Sequence, residues 1–157
     1  MTEFKSAAVS LPGKERVAKA PMGAKVIIHA TAAETGGAFG IWETVVPPGQ
    51  GPSPHTHSRE TECFRVIDGT FLFRCGEEEM EAHAGAVIVL PPHVEHSWTN
   101  ISDKVGRVLG FVSPGGFEQM FIDIEQTQAD TPAKIAVLEA RLGISNAETE
   151  KLAQPVA

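Results

Sequence analysis

The sequence has little with which to build a disulfide scaffold, a basic face or a membrane span. It holds only two cysteines, Cys63 and Cys75. Two are too few to staple a small fold, and these lack the CxxC spacing of a zinc or redox site. Adjacent strands could bring them face to face, but the expectation is two reduced cytosolic thiols. Basic residues are outnumbered, with 13 lysines and arginines against 20 acidic residues and a net charge of -7. That balance argues against nucleic acid or an anionic membrane surface as a partner, since both demand a basic footprint. No apolar run reaches the roughly 18 residues that cross a bilayer. Residues 1–5 lead into no long apolar stretch, so we expect no secretory signal and a cytoplasmic location. No internal repeat is present.

What is there suits one globular domain. The chain has 157 residues, 42% of them apolar, which is enough for a real core. We expect an arm over residues 1–20, an all-β region over 21–113 and a helical segment over 114–157. Short apolar or alternating runs stand at 25–28, 39–46, 63–67, 70–75, 86–90 and 107–112. Turn signals separate them: Gly36-Gly37, Asp68-Gly69, Gly76 and Pro91-Pro92. Many short strands at close spacing predict a sandwich or barrel. Beyond Pro114-Gly115-Gly116, the residues Phe117, Met120, Phe121 and Ile124 follow helical spacing. Thr131 and Pro132 make a good helix start, with Ile135, Leu138 and Leu142 as its apolar stripe and Gly143 as its stop. The stretch from Ser145 to Glu148 is expected to cap one more short helix, and the final residues are expected to fray.

The stretch HTHSRETE, residues 55–62, carries the chemistry. In a strand, residues two apart face the same way, so His55 and His57 project from one face. Glu62 has the opposite parity and joins them only across a bend, which residues 58–61 can supply. The preceding segment, 45–54, is rich in proline and glycine and reads as extended or turning chain. A second histidine cluster, His93 and His96, also follows a strand. If the two strand ends meet in a barrel, His96 or His93 could complete a four-ligand set with His55, His57 and Glu62.

The two clusters resemble the paired motifs of the cupins. The first motif reads glycine, five residues, HxH, three or four residues, glutamate, six residues, glycine. Gly49, His55, His57, Glu62 and Gly69 match it throughout. The second reads glycine, five residues, PxG, two residues, histidine, three residues, asparagine. Gly85, Pro91, His96 and Asn100 match, while His93 stands where the motif has glycine. Residues 39–46 and 114–118 further resemble small single-domain cupins described as quercetin-dioxygenase-like. The resemblance implies a jelly-roll barrel, the double-stranded β-helix, with a metal held by His55, His57, Glu62 and His96. It also implies a homodimer, for which the arm and residues 24–46 offer the edge.

Three imidazoles and one carboxylate suit a single divalent first-row metal, whether Fe, Mn, Co, Ni, Cu or Zn. An octahedral ion would keep two positions open, as catalytic sites do. With such an open site, the resemblance implies dioxygenase-like oxidation of a small enol or aromatic substrate, with Glu62 as ligand and catalytic base. The alternatives are a metal-dependent isomerase or lyase, and a non-catalytic cupin that binds a small molecule. His93 is read as a turn residue, because its slot tolerates positive φ. His29 and His83 are read as surface or satisfied histidines, and Asn100 as structural. Glu43 is a weaker candidate for a polar group in the pocket. Trp42, Phe64, Phe73, Trp98, Phe111 and Phe117 are expected in the core, one or two of them lining an apolar pocket above the metal. The helix bearing Phe117, Met120 and Phe121 is expected to pack on the barrel, the sharper alternative being a lid over its mouth. The run Glu77-Glu78-Glu79 is read as a hairpin tip.

Overall fold

Alternation of large apolar and polar residues over short strands produces two facing sheets in the computed structural model, which describes residues 3–153. In chain order the strands are β1 (Arg16–Lys19), β2 (Lys25–Ala30), β3 (Gly40–Val46), β4 (Thr56–His57), β5 (Thr61–Asp68) and β6 (Thr70–Cys75). Next come β7 (Glu78–His83), β8 (Val87–Leu90), β9 (His96–Asn100) and β10 (Gly106–Ser113). The C-terminal part follows as α1 (Gln119–Thr127), α2 (Pro132–Arg141), β11 (Ile144–Ser145) and α3 (Ala147–Leu152).

The larger sheet has the order β1-β2-β3-β10-β5-β8 and the smaller one β7-β6-β9. All their pairings are antiparallel. This is the double-stranded β-helix. Period-2 alternation fixes which side chains go inside. From the larger sheet, Trp42, Val46, Phe64, Val66, Val108 and Val112 point inward. From the smaller sheet, Phe71, Phe73, Ala82 and Trp98 meet them. Phe64 contacts Trp42, Phe73 and Trp98 at ring-centroid distances of 6.1, 5.8 and 5.7 Å. Such pairs add about 0.5–1.5 kcal/mol each beyond simple burial.

Three expectations need correction. Phe111 is not in the core. It lies half-buried on the outer face of β10, stacked on Phe39 at 5.5 Å. The inward slot falls to Gly110, where a Cβ would stand 2.4 Å from the indole of Trp42. Glu43 also points outward, 3.2 Å from Arg107, so it is no pocket group. The edge expected at residues 24–46 is covered, because β1 pairs with β2 and β10 pairs with β3. The free edges of the larger sheet are β8 and β1, the latter inside the arm also expected to offer an edge.

The helical segment docks on the barrel through Phe117, Met120, Phe121 and Ile124, all buried. Its start is held by Glu118, a buried carboxylate. Oε1 of Glu118 accepts from the Ala32 amide at 2.6 Å and Oε2 from the Gly116 amide at 2.9 Å. Thr131 caps α2 as expected, accepting from the Lys134 amide. The third helix is capped by Asn146 in a capping box, one residue beyond Ser145. Ser145 instead belongs to β11, which pairs with β4. The expected fraying of the last residues falls outside the described chain for 154–157. No helix among the described residues is long and apolar enough to cross a membrane.

Candidate metal centre

His55, His57, Glu62 and His96 converge at one end of the barrel, between the two sheets. One potential ligand atom from each lies within 4.8 Å of all the others. Each is placed by a different element. His57 ends the two-residue β4, opposite Ile144 of β11. Glu62 lies on β5, flanked by Leu90 of β8 and Val112 of β10. His96 opens β9, opposite Cys75 of β6. His55 is tied to His96 by a reciprocal backbone bridge, with N···O distances of 3.0 and 2.9 Å. The bend over residues 58–60 turns the chain between β4 and β5, which brings Glu62 to the histidine face despite its parity.

The four side chains are sealed, with exposures of 9% for His55, 0% for His57, 1% for Glu62 and 2% for His96. Nε2 of His96 lies 2.9 Å from Oε2 of Glu62, and Nε2 of His57 lies 3.5 Å from it. Ligand atoms about 2.1 Å from a shared ion stand about 3 Å apart when adjacent and about 4 Å when opposite. The two Glu62 contacts fall in that range, and the whole set, within 4.8 Å, is slightly wider than one coordination sphere.

Hydrogen bonding points the same way. Nδ1 of His55 meets the Ser53 carbonyl at 2.8 Å, and Nδ1 of His96 meets the Val94 carbonyl at 2.9 Å. A carbonyl only accepts, so each of these rings donates Nδ1–H; this leaves Nε2 of His55 with its lone pair, while Nε2 of His96 must give up the proton it shares with Glu62 before it can ligate a cation. Nδ1 of His57 meets Oε2 of Glu60 at 3.3 Å, with the same consequence as for His55. Nε2 of His57 is buried with no hydrogen-bond partner among the described residues. An orphaned buried nitrogen facing a carboxylate and two further imidazoles fits a cation.

The titration tendencies differ between the two histidines that show one. Burial pushes His55 down to about 4, so it is a neutral donor at pH 7. Burial works to raise Glu62, but the His96 hydrogen bond and the neighbouring imidazoles outweigh it and hold the carboxyl below its ordinary range. Burial works to lower His96, but the hydrogen bond and charge of Glu62 outweigh it and hold the ring above its ordinary value.

Comparison with known proteins decides the family. The family profile described as Cupin domain matches residues 42–112. The chain carries a cupin domain. Among solved cupin-fold structures it is similar to KdgF from Halomonas sp., with a TM-score of 0.64 and 18% identity. That likeness covers 73% of this chain and 99% of the other. It is similar also to an RmlC-like cupin from Shewanella frigidimarina, with a TM-score of 0.63, 18% identity, and coverage of 74% and 98%. A predicted oxalate decarboxylase from Thermotoga maritima gives a TM-score of 0.54 and 19% identity, covering 64% of this chain and 91% of the other. No curated protein matches the sequence.

Other residues of the cupin motifs sort by geometry. His93 is exposed in a turn at φ 66°, and its amide donates to the His57 carbonyl at 2.8 Å. It serves the site through its backbone. Asn100 is buried, and its amide donates to the carbonyls of Val46 and Lys104 at 2.9 and 2.8 Å. His83 is exposed, and His29 lies on the outer sheet face, 3.9 Å from Glu43. The helical segment does reach the site. Phe117 meets the His57 ring edge-on at 4.7 Å, and Ile144 pairs with His57 from the other side. Two surface cavities, one along β1 and α1 and one beside β11 and α3, are lined by none of the four residues. Phe117 stands as an aromatic wall against one ring of the cluster.

Glu60 escaped the sequence reading. It sits in the polar bend and is 1% exposed. Its only signal is its position three residues after His57, on the inside of a turn.

Proposed function

We propose that the cluster holds one divalent transition metal per chain through His55, His57, His96 and Glu62. The chain would then be a dioxygenase-like oxidoreductase acting on a small enol or aromatic substrate. The observation that carries the metal reading is the orphaned Nε2 of His57, sealed beside Glu62 and two further oriented imidazoles. The observation that favours an uncharged substrate is the distribution of cations. Every described lysine and arginine is exposed, so none projects into the barrel to receive a carboxylate or phosphate. The wall next to His57 is aromatic instead, running from Phe117 to Trp42 and Phe121.

A bound redox-active ion would supply an electron path between substrate and dioxygen. The chain's own residues do the rest. Phe117 and the β11 segment keep water from the cluster. Glu62, held ionised, accepts the proton of the substrate hydroxyl at a carboxylate oxygen. Dioxygen is the oxidant, and one molecule is consumed per substrate oxidised. The aromatic residues packed beside His57 leave room for a small substrate rather than a large one.

The outer face of the larger sheet supports a two-fold homodimer. Ile41, Val45, Leu109 and Phe111 are half-buried there, and Val87 and Val89 are exposed. A cytoplasmic location accords with two unpaired cysteines and an acidic chain.

The test is oxygen uptake by Fe-, Mn-, Co-, Ni- or Cu-loaded protein across a panel of small enols and catechols, with Zn-loaded protein as the slow control. Substrate-dependent uptake is expected. Turnover that persists without oxygen would favour the isomerase or lyase reading. Absence of turnover under both conditions would leave a binding cupin.

A further inference from the structure

We infer that Glu60 is the positioning residue of this centre, accepting the Nδ1 proton of His57 and so aiming that ring's Nε2 at the metal. The inference rests on the metal reading above and adds a residue that neither cupin motif contains.

The argument starts from how the three rings are held. His55 and His96 each use the carbonyl two residues earlier in the chain, those of Ser53 and Val94. By the same rule, His57 would use the carbonyl of His55. That carbonyl already accepts the His96 amide at 2.9 Å in the bridge that joins the two halves of the site, and His57 makes no bond to it. His57 is thus the one ring of the three without the local lock. Glu60 replaces it across the bend, with Oε2 3.3 Å from Nδ1.

The burial of Glu60 needs such a reason. A carboxylate taken out of water is costly unless a specific partner meets it. Its other partner, Arg59, lies 2.9 Å from Oε1, but the Arg59 side chain is 54% exposed. A half-solvated pair of this kind contributes little by itself. His57 is the partner that shares the buried environment, at 0% exposure. A carboxylate is also an acceptor of more negative charge than a carbonyl, so Glu60 raises the basicity of the His57 ring.

The test uses the full chain, Co(II) as the metal, and the variants Glu60→Gln, Glu60→Ala and Arg59→Ala. Co(II) affinity is read by competition with a chelator, and the ligand field by the visible absorption of the bound ion. Thermal melting of the metal-free proteins controls for folding. We expect affinity to fall about 10-fold in Glu60→Gln and up to about 100-fold in Glu60→Ala. The Co(II) bands should shift in both. Arg59→Ala, which keeps the contact to His57, should bind within about threefold of the parent and keep its spectrum.

Unchanged affinity and spectrum in Glu60→Ala, beside a parent that binds Co(II), would overturn this inference alone. So would an equal loss in Arg59→Ala, since Glu60 would then serve the arginine. A parent chain that takes up no Co(II) would overturn the metal reading itself. Should Glu60→Ala fail to fold, the nearly isosteric Glu60→Gln decides through its spectrum.

Discussion

Ile144 lies opposite His57 in a two-residue antiparallel pair, so the C-terminal segment is fastened to the strand that carries a candidate ligand. The Ser58 amide adds a hydrogen bond of 3.0 Å to the Gly143 carbonyl. The segment thus acts as a strap over the site, with Phe117 as its neighbour.

Loosening the strap should expose the cluster. Gly143 has φ 75°, and a Cβ there would stand 2.1 Å from Oγ of Ser58. Gly143→Ala should therefore cost about 1–2 kcal/mol through the backbone alone. Adding Ser58→Ala should relieve the clash but not the φ penalty. Co(II) should exchange faster in Gly143→Ala than in the parent, by stopped-flow transfer to a chelator. Equal exchange rates would show that the strap does not gate the site.

The histidine at the motif's glycine position should be dispensable as a side chain. His93 is exposed at φ 66° and contributes its amide to His57. His93→Gly keeps that amide and removes the strain. Metal content should be intact and stability within about 1 kcal/mol of the parent, measured by denaturant melts. Loss of metal would move the His93 ring into the site.

How much of this was legible follows from particular residues. The four candidate ligands were readable because each stands at or beside a strand end, where fixed spacing becomes fixed geometry. Glu60 was not, since in a bend of Arg59, Glu60 and Thr61 no periodicity says which side chain turns inward. β11 was not, because two residues carry no pattern and only pairing with β4 makes them a strand. The run at residues 107–112 is apolar on both faces, so parity did not reveal that Gly110, under Trp42, holds the inward slot. The helical stripe of α1 was readable, but its contact with His57 depends on Glu118, whose role rests on two distant backbone amides.

Metal affinity should depend on pH through His96. Burial opposes its protonation, but Glu62 outweighs that and raises it above its ordinary value. Below that raised value the ring holds a proton that an incoming ion must displace. His55, pushed down to about 4, is already neutral there. Affinity for Co(II) should therefore fall about tenfold per pH unit on the acid side of the His96 transition and level off above it. Titration calorimetry in buffers of different ionisation enthalpy would count the released proton. A flat profile between pH 5 and 8 would contradict the assignment.

The outer sheet face predicts assembly. Phe111 lies opposite Ile41 across β10 and β3, with Leu109 next to them on the same face and the Glu43–Arg107 pair beside Leu109. A face of this kind is normally covered. Light scattering at micromolar concentration should give twice the chain mass, and Phe111→Lys should give the monomer. A monomeric parent would remove the dimer.

The central claim is that four named side chains hold one metal, and equilibrium dialysis against Co(II) tests it most directly. The parent should bind one ion per chain. His57→Ala and His96→Ala should each lose more than about 100-fold in affinity, beyond what losing a hydrogen-bond partner of a ligand costs. A parent that binds no ion, or either variant binding one ion with unchanged affinity, would contradict the account.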